Sequence, residues 1–417
     1  MPTRIVEFDV LGPGCEIPFL ETDENLLVIL RSGFSLVGKL FVTGEKCSAV
    51  ASDLEKYLPK GISPFRFRQA RERIQRPDQP PTTLPWGDVR ETFELENARI
   101  ERASSQPEFT VIVCSRHRRE CLIRCLESIL QLDYGRYKVV LVDNNGPGEG
   151  IFDVAGRFPC RYIKEVRPGL SRSLNAGLAE ATGELVAITH DNAEVDPAWL
   201  KGLALEFEDP QVGAVSGPVL PLDLSTRAQE WFEELRCLGP PWLGRLVFEP
   251  GDLPLEIPLG SDANLAFRKE RIEAQGGFNE SLGSGTWSGG AEDQEALIKI
   301  LRAGSKVVFT PDALVRHRHS TSLEEVQSAA FRRSVARTAL ATSLIHEERT
   351  LWGTVLSHVL KGVVGRGQGP RVEPLGLPRA RLPWTQRLAA FFIGPLAYCL
   401  SHHSESLPWT FENDDSP

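Results

Sequence analysis

The chain has no global basic bias: 47 Lys and Arg stand against 56 Asp and Glu, for a net charge of -9. A nucleic-acid binder ordinarily carries a basic face, so that class is set aside. Cysteine is present eight times but never as a CxxC pair. Cys121 and Cys125 sit one helical turn apart, yet no nearby His completes a zinc set, and they read as reduced core thiols. The opening MPTRIVEFDV lacks the charged-then-apolar order of a signal peptide. Long apolar runs are lacking too. The longest uncharged one, Leu388 to Leu400, is shorter than the ~20 residues a membrane span needs. The expectation is a soluble, cytoplasmic protein, with peripheral contact at the inner face of a membrane left open for its C-terminal segments.

What is present is enough apolar material, 41% of 417 residues, for one large core and one or two smaller units. Residues 1–75 mix short β-like runs, Leu26–Leu30 and Ser35–Phe41, with turn residues and a short helical stretch at Ser52–Tyr57. They read as a small α+β accessory domain. Residues 76–107 read as a linker, Pro-rich from Arg76 to Pro85. From residue 108 the texture changes. Phe109–Val113, Lys138–Val142 and Leu185–Thr189 read as buried strands. Arg119–Leu130, Ser171–Ala181 and Ala198–Phe207 carry helical spacing. Strands alternating with helices predict an α/β fold with a doubly wound, mostly parallel sheet over residues 108–320. Between Gly217 and about residue 255 the alternation loosens, leaving room for an acceptor-binding half. Residues 321–417 read as a helical extension, with a long stretch at Glu324–Ile345, apolar or amphipathic segments at Leu351–Val364 and Arg387–Leu400, and an acidic tail.

Candidate chemistry gathers where strands end. In open α/β sheets ligands bind at the carboxyl edge. The third strand runs into His190-Asp191-Asn192, and a carboxylate there can hold a divalent cation that in turn holds a diphosphate. Asp143 ends the second strand and can accept a hydrogen bond from a base or a ribose; the alternative is an Asx turn in Asp-Asn-Asn-Gly. Arg167 to Gly177 is a loop feeding a helix, with Ser171 a plausible N-cap and Arg172 and Asn175 on the first turns, a pattern that attracts anions. The alternative is a capped surface helix. Glu292 and Asp293 open a helix after two glycines, so a carboxylate there can serve as general base, or both can simply complement the helix dipole. Asp262 and Asn264 precede another helix start and can position an acceptor, or merely cap a turn. Arg316-His-Arg-His319 follows a strand, and His317 or His319 can join Asp191 on a metal or remain a solvated loop residue.

Seven segments occur in the order seen in the family-two, inverting nucleotide-sugar glycosyltransferases. They are Thr110–Arg116, Val142–Asn144, Arg167–Gly177, Gly183–Leu200, Ala263–Arg268, Gly276–Phe278 and Gly290–Asp293. The resemblance covers about residues 108–320 and implies a GT-A fold that joins a nucleotide-binding half to an acceptor-binding half. It further implies that Ser115 and Arg116 lie beside the nucleotide, that Asp143 recognises the base, and that Arg172 and Asn175 touch ribose or diphosphate. Asp191 resembles the metal-binding member of an Asp-x-Asp-type motif, holding Mg²⁺ or Mn²⁺ with His317. Asp293 resembles the catalytic base, supported by Glu292. One departure stands out: His190 occupies a position usually acidic, which weakens the case for metal dependence or gives His190 a ribose contact. The donor expectation is a UDP-sugar, and the acceptor a polysaccharide, glycolipid or lipid-linked glycan. Two rivals are a non-catalytic nucleotide-sugar-binding protein, suggested by His190, and a nucleotidyltransferase, whose triphosphate loop would need glycines that Cys114–Arg119 lacks.

Overall fold

The computed structural model describes residues 3–12, 25–42, 86–102, 106–116, 118–145, 150–235, 244–255, 259–357 and 383–403. Its centre is an eight-stranded sheet. In chain order the strands that build it are β4 (Phe109–Ser115), β5 (Tyr137–Asp143), β6 (Cys160–Lys164), β7 (Leu185–His190), β9 (Val212–Ser216), β11 (Leu246–Phe248), β12 (Leu265–Arg268) and β13 (Lys306–Phe309). Across the sheet they run β11-β13-β9-β12-β7-β4-β5-β6. The pairs β4–β5, β4–β7, β5–β6 and β9–β13 are parallel. Continuous runs such as Val111-Ile-Val and Val139-Val-Leu-Val are buried on both faces, as parallel strands covered by helices must be.

Two strands break the parallel rule: the edge strand β11, antiparallel to β13, and a central one. β12 lies antiparallel between β7 and β9, in the middle of the sheet. The sequence reads there only as a strand-turn-helix element. Pairing direction is a long-range property that four residues do not encode. Arg268 ends β12, and its guanidinium binds the carbonyls of Val212 and Phe207 at 2.9 and 2.6 Å.

Helices cover both faces: α2 (Arg119–Leu130), the one-turn α3 (Phe152–Ala155), α4 (Leu170–Glu180), α5 (Trp199–Glu206), α6 (Arg227–Glu234), α7 (Lys269–Ala274) and α8 (Glu292–Arg302). The predicted helices and strands of this region recur within a few residues of their expected ends. A second sheet of three short strands, β10 (Val219–Pro221), β14 (Val315–His317) and β8 (Ala193–Val195), flanks the strand ends.

Before this domain, β1 (Thr3–Asp9), β2 (Asn25–Ser32) and β3 (Ser35–Val42) form a three-stranded sheet. The helical stretch expected at Ser52–Tyr57 and the Pro-rich stretch at 76–85 lie outside the described residues. Trp86–Arg102, inside the stretch read as linker, is instead a helix, α1. Its Phe93 is buried, and Asn97 donates to the Ser32 hydroxyl at 3.3 Å, so it is tied to β2 rather than extended. After the domain come α9 (Leu323–Glu347) and α10 (Trp384–His403). Part of the segment expected at Leu351–Val364 lies outside the described residues.

Candidate active site

Register brings the strand ends level. Ser115 pairs with Asp143, and Cys114 pairs with His190, so β4, β5 and β7 finish side by side. The antiparallel β12 pairs Leu265 with Ile188 and Ala266 with Ala187. Continuing that register backwards, the Thr189 hydroxyl donates to the Ala263 carbonyl at 3.0 Å, which carries Asp262 to the end of β7. On the other side β14 pairs His317 with Ala193, two residues beyond Asp191.

Asp191 is 4% exposed. Its Oδ2 accepts from the Ser115 hydroxyl at 2.7 Å and the Arg116 amide at 3.4 Å. Its Oδ1 faces the Arg118 guanidinium at 3.4 Å. Ser115 and Arg116 therefore meet Asp191, as their place after the first strand suggests. Arg118 is a member of this set that the motif reading passed over, although the basic run Arg116-His-Arg-Arg119 signals it.

His190 and Asp262 form a half-buried ion pair, Nε2 to Oδ2 at 2.8 Å. Burial alone would pull the His190 pKa down, but the Asp262 carboxylate outweighs it and the net shift is upward. Burial likewise pushes Asp262 up, and His190 outweighs it to hold that carboxyl below its ordinary value. His190 is thus matched by a carboxylate from the turn that leads into β12. Asp262 also interacts with Glu292.

The start of α8 is built on strain. Gly289, Gly290 and Ala291 all have positive φ, at 70°, 149° and 75°. The left-handed conformation is costly for Ala291, the kind of outlier that marks functional sites. The Gln294 side chain clamps the opposite loop, accepting from the Leu259 amide at 3.0 Å and donating to the Gly260 carbonyl at 2.9 Å. That clamp brings Asp262, Glu292 and Asp293 into one cluster. Burial, with the charges of Asp262 and Asp293, pushes the Glu292 carboxyl well above its ordinary value. Asp293 is half-buried, and burial with the Asp262 charge pushes it up to about 6. Its Oδ1 accepts the Gln294 amide at 2.7 Å.

His317 is buried, its Nδ1 3.1 Å from Nδ1 of His319. Burial and the neighbouring His319, His190 and Arg118 keep its ring neutral. His319 is buried as well, and its Nε2 lies 3.4 Å from Glu233 of α6, which Lys39 of β3 approaches at 3.7 Å. Neither histidine is the solvated loop residue of the alternative reading.

Other candidates are placed less openly. Asp143 is fully buried, with Oδ2 accepting from the Tyr162 hydroxyl at 2.7 Å and the Ile151 amide at 3.2 Å. Its Oδ1 takes the Asn145 amide at 2.9 Å, the Asx-type contact of the alternative reading. Arg172 reaches Glu280 at 3.2 Å. Asn175 spends its amide on Phe278, donating to the carbonyl and accepting from the N–H at 2.8 Å each, which locks α4 to the Gly276-Gly-Phe278 turn. Ser171 is not an N-cap: α4 begins at Leu170 after Gly169, and the Ser171 hydroxyl donates to the Leu282 carbonyl. Asn264 must be reassigned from acceptor contact to scaffold. It is 0% exposed, donates to the carbonyls of Pro218 and Ala313 at 2.9 and 2.8 Å, and accepts the Trp199 indole N–H at 2.8 Å. Asn144, not singled out from sequence, fixes the Arg167–Gly169 loop through bonds to the Glu165 and Arg167 carbonyls and the Gly169 amide.

Among the described residues no group of three ligating side chains stands ready for a metal ion. Asp191 and the neutral ring of His317, whose strand pairs with Ala193 two residues beyond Asp191, would make a partial donor set that a diphosphate and water could complete.

Comparison with known proteins finds similarity over part of the chain. Residues 110–272 match the model of glycosyl transferase family 2. The uncharacterized protein y4gI of Sinorhizobium fredii is 28% identical over 250 residues, which is 55% of this chain and 27% of that protein. The glucosyl-dolichyl phosphate glucuronosyltransferase of Haloferax volcanii is 27% identical over 219 residues, 50% of this chain and 68% of that enzyme. Among solved structures, the mannosyltransferase PcManGT of Pyrobaculum calidifontis, in complex with GDP-Man and Mn²⁺, aligns with TM-score 0.42 and 20% identity over 75% of this chain and 92% of its own. The chain thus spans about a quarter of one of these relatives and two thirds of another. The strand ends that carry Ser115, Asp143 and Asp191 all lie within the stretch that matches the model of glycosyl transferase family 2.

Proposed function

We propose that the chain is an inverting glycosyltransferase that moves a sugar from a nucleoside-diphosphate donor to a hydroxyl acceptor. The observation that carries the reading is Asp293, half-buried at the strained start of α8, with a pKa pushed up to about 6. A general base works best when its pKa lies near the operating pH. The Gln294 backbone N–H occupies Oδ1 at 2.7 Å, and Oδ2, which the Gln294 side chain reaches only at 3.4 Å, keeps a lone pair for the acceptor proton. The acceptor O–H gives that proton to Asp293, its oxygen bonds the anomeric carbon from the face opposite the leaving group, and the C–O bond to the diphosphate breaks with its electron pair. Glu292, its carboxyl pushed well above the ordinary value by burial, precedes the base on the same turn.

The donor lies along the ends of β4, β5 and β7, with Ser115, Arg116 and Asp143 at the nucleoside and Arg172 near the diphosphate. Asp191 and His317 are the protein groups that would hold Mg²⁺ or Mn²⁺, which when bound offsets charge on the departing diphosphate. Asp262, facing the base through Glu292, borders the acceptor. A lipid-linked or polysaccharide acceptor and a UDP-sugar donor remain the working assignments, and the dolichyl phosphate in the name of the Haloferax relative supports the lipid-linked choice.

The test is a melting series with UDP, GDP, dTDP and CDP, each with and without Mn²⁺, on the parent chain and Asp191→Ala. A ligand that binds only the folded state raises the melting temperature. One nucleotide should stabilise the parent, more with metal, and lose that increment in Asp191→Ala. Asp293→Asn should keep the increment while turnover falls by about a hundredfold or more. Full turnover in Asp293→Asn overturns the base assignment. Nucleotide binding without turnover on any acceptor favours the non-catalytic rival.

A further inference from the structure

α10 is packed inside out. Its small residues face the protein: Ala390 is 1% exposed, and Gly394 and Ala397 are buried with it against α9. The approach is close enough that a Cβ on Gly394 would overlap the Thr338 hydroxyl and lie 2.6 Å from the Val335 carbonyl. The Thr338 hydroxyl donates to the Ala390 carbonyl at 2.8 Å. Its large apolar residues face away. Trp384, Leu388, Phe392, Leu396 and Leu400 are 67%, 41%, 66%, 60% and 42% exposed, and they recur every four residues as one ridge, with Ile393 beside it. In water the burial term favours the opposite arrangement, since each large side chain left outside forfeits its transfer free energy. Small residues between helices and large apolar ones outside is the arrangement of helices packed in lipid.

Charge selects the occupant. From Pro374 to Ser404 the sequence holds Arg379, Arg381 and Arg387 and no Asp or Glu, although the whole chain carries net charge -9. Arginines at the start of an apolar ridge, with a Trp at its first turn, suit an anionic lipid surface. Among the described residues no helix is long and apolar enough to cross a membrane, so α10 can only lie along one. We propose that the outer face of α10 docks in the plane of an anionic phospholipid bilayer. The other face ties this anchor to the candidate site. The Tyr398 hydroxyl lies 3.3 Å from the Ser343 hydroxyl, Ser343 bonds Glu295 of α8, and His402 meets Ser281 at 3.2 Å. The proposal does not depend on the transfer reaction, because its test reads binding alone.

The experiment is flotation of the full chain with vesicles of phosphatidylglycerol and phosphatidylcholine, and with phosphatidylcholine alone, for the parent and Phe392→Glu/Leu396→Glu. The parent should float with the anionic vesicles, less as salt rises, and the variant should lose about tenfold or more of the bound fraction at an unchanged melting temperature. A parent that stays unbound at every anionic fraction overturns the proposal. So does a variant that floats like the parent. A variant that turns a dimer into a monomer in light scattering shows that a second copy covers the ridge. A variant with a markedly lower melting temperature shows that the chain covers it itself. Both outcomes also overturn the proposal.

Discussion

At the residue scale the decisive feature is a set of buried charges that tune one another. His190 stands where the family resemblance implies an acidic residue, and a carboxylate is supplied there by Asp262 at 2.8 Å. Burial, and then the Asp262 charge, raises Asp293 to about 6. The rate constant kcat/KM should therefore fall about tenfold per pH unit below that value, because the base is protonated there. Asp262→Asn removes the nearby charge and should move this acid limb to lower pH; a limb that stays in place sinks the coupling. Glu292 makes a separate stability prediction. Its folded pKa lies well above its ordinary 4.5, so the folded state binds the extra proton. Its contribution is complete below pH 4.5 and is lost as pH rises through the folded value. Glu292→Gln keeps the neutral shape and should flatten the decline of melting temperature between acid and neutral pH. An unchanged slope would place that proton elsewhere.

At the element scale, two close approaches decide what the helices can do. α8 starts from three consecutive left-handed residues, which point its first turn, with Glu292 and Asp293, at the loop carrying Asp262. α9 and α10 meet over Gly394, where any side chain overlaps Thr338. Gly394→Leu should cost about 1–3 kcal/mol by overpacking, read from urea unfolding. A neutral result would mean that the two helices do not touch in solution. Sequence spacing foresaw the helical extent here but not the face: Leu388 to Ile393 reads as apolar material for either a core or an interface, and only the packing of Ala390, Gly394 and Ala397 chooses.

At the scale of the whole molecule, the N-terminal sheet is docked and not merely tethered. Leu27, Ile29 and Leu36 bury against Leu220, Leu224 and Leu314 of the central α/β domain. Arg31 pairs with buried Asp196 at 2.8 Å, Ser35 bonds Asp312, and Arg316 pairs with Glu7. Through Lys39 and Glu233 this sheet also reaches the His319–His317 pair. Calorimetry should show these parts melting together, and Leu36→Ala should lower that shared transition by the equivalent of about 2–5 kcal/mol. A separate early transition for the N-terminal part would contradict this.

The sequence by itself determined the alternation of strands and helices from Phe109 to Phe207 and placed Asp143, Asp191 and Asp293 at element ends. Buried runs, helical spacing and turn residues are local properties, and local properties survive without the rest of the chain. The tertiary structure alone decided that β12 runs antiparallel through the sheet centre, that Asp262 answers His190, that Asn264 is sealed inside, that residues 86–102 coil into a helix on β2, and that α10 turns its large side chains outward. Each of these depends on strand register or on the burial of residues far apart in the chain, energies that exist only once the partners have met.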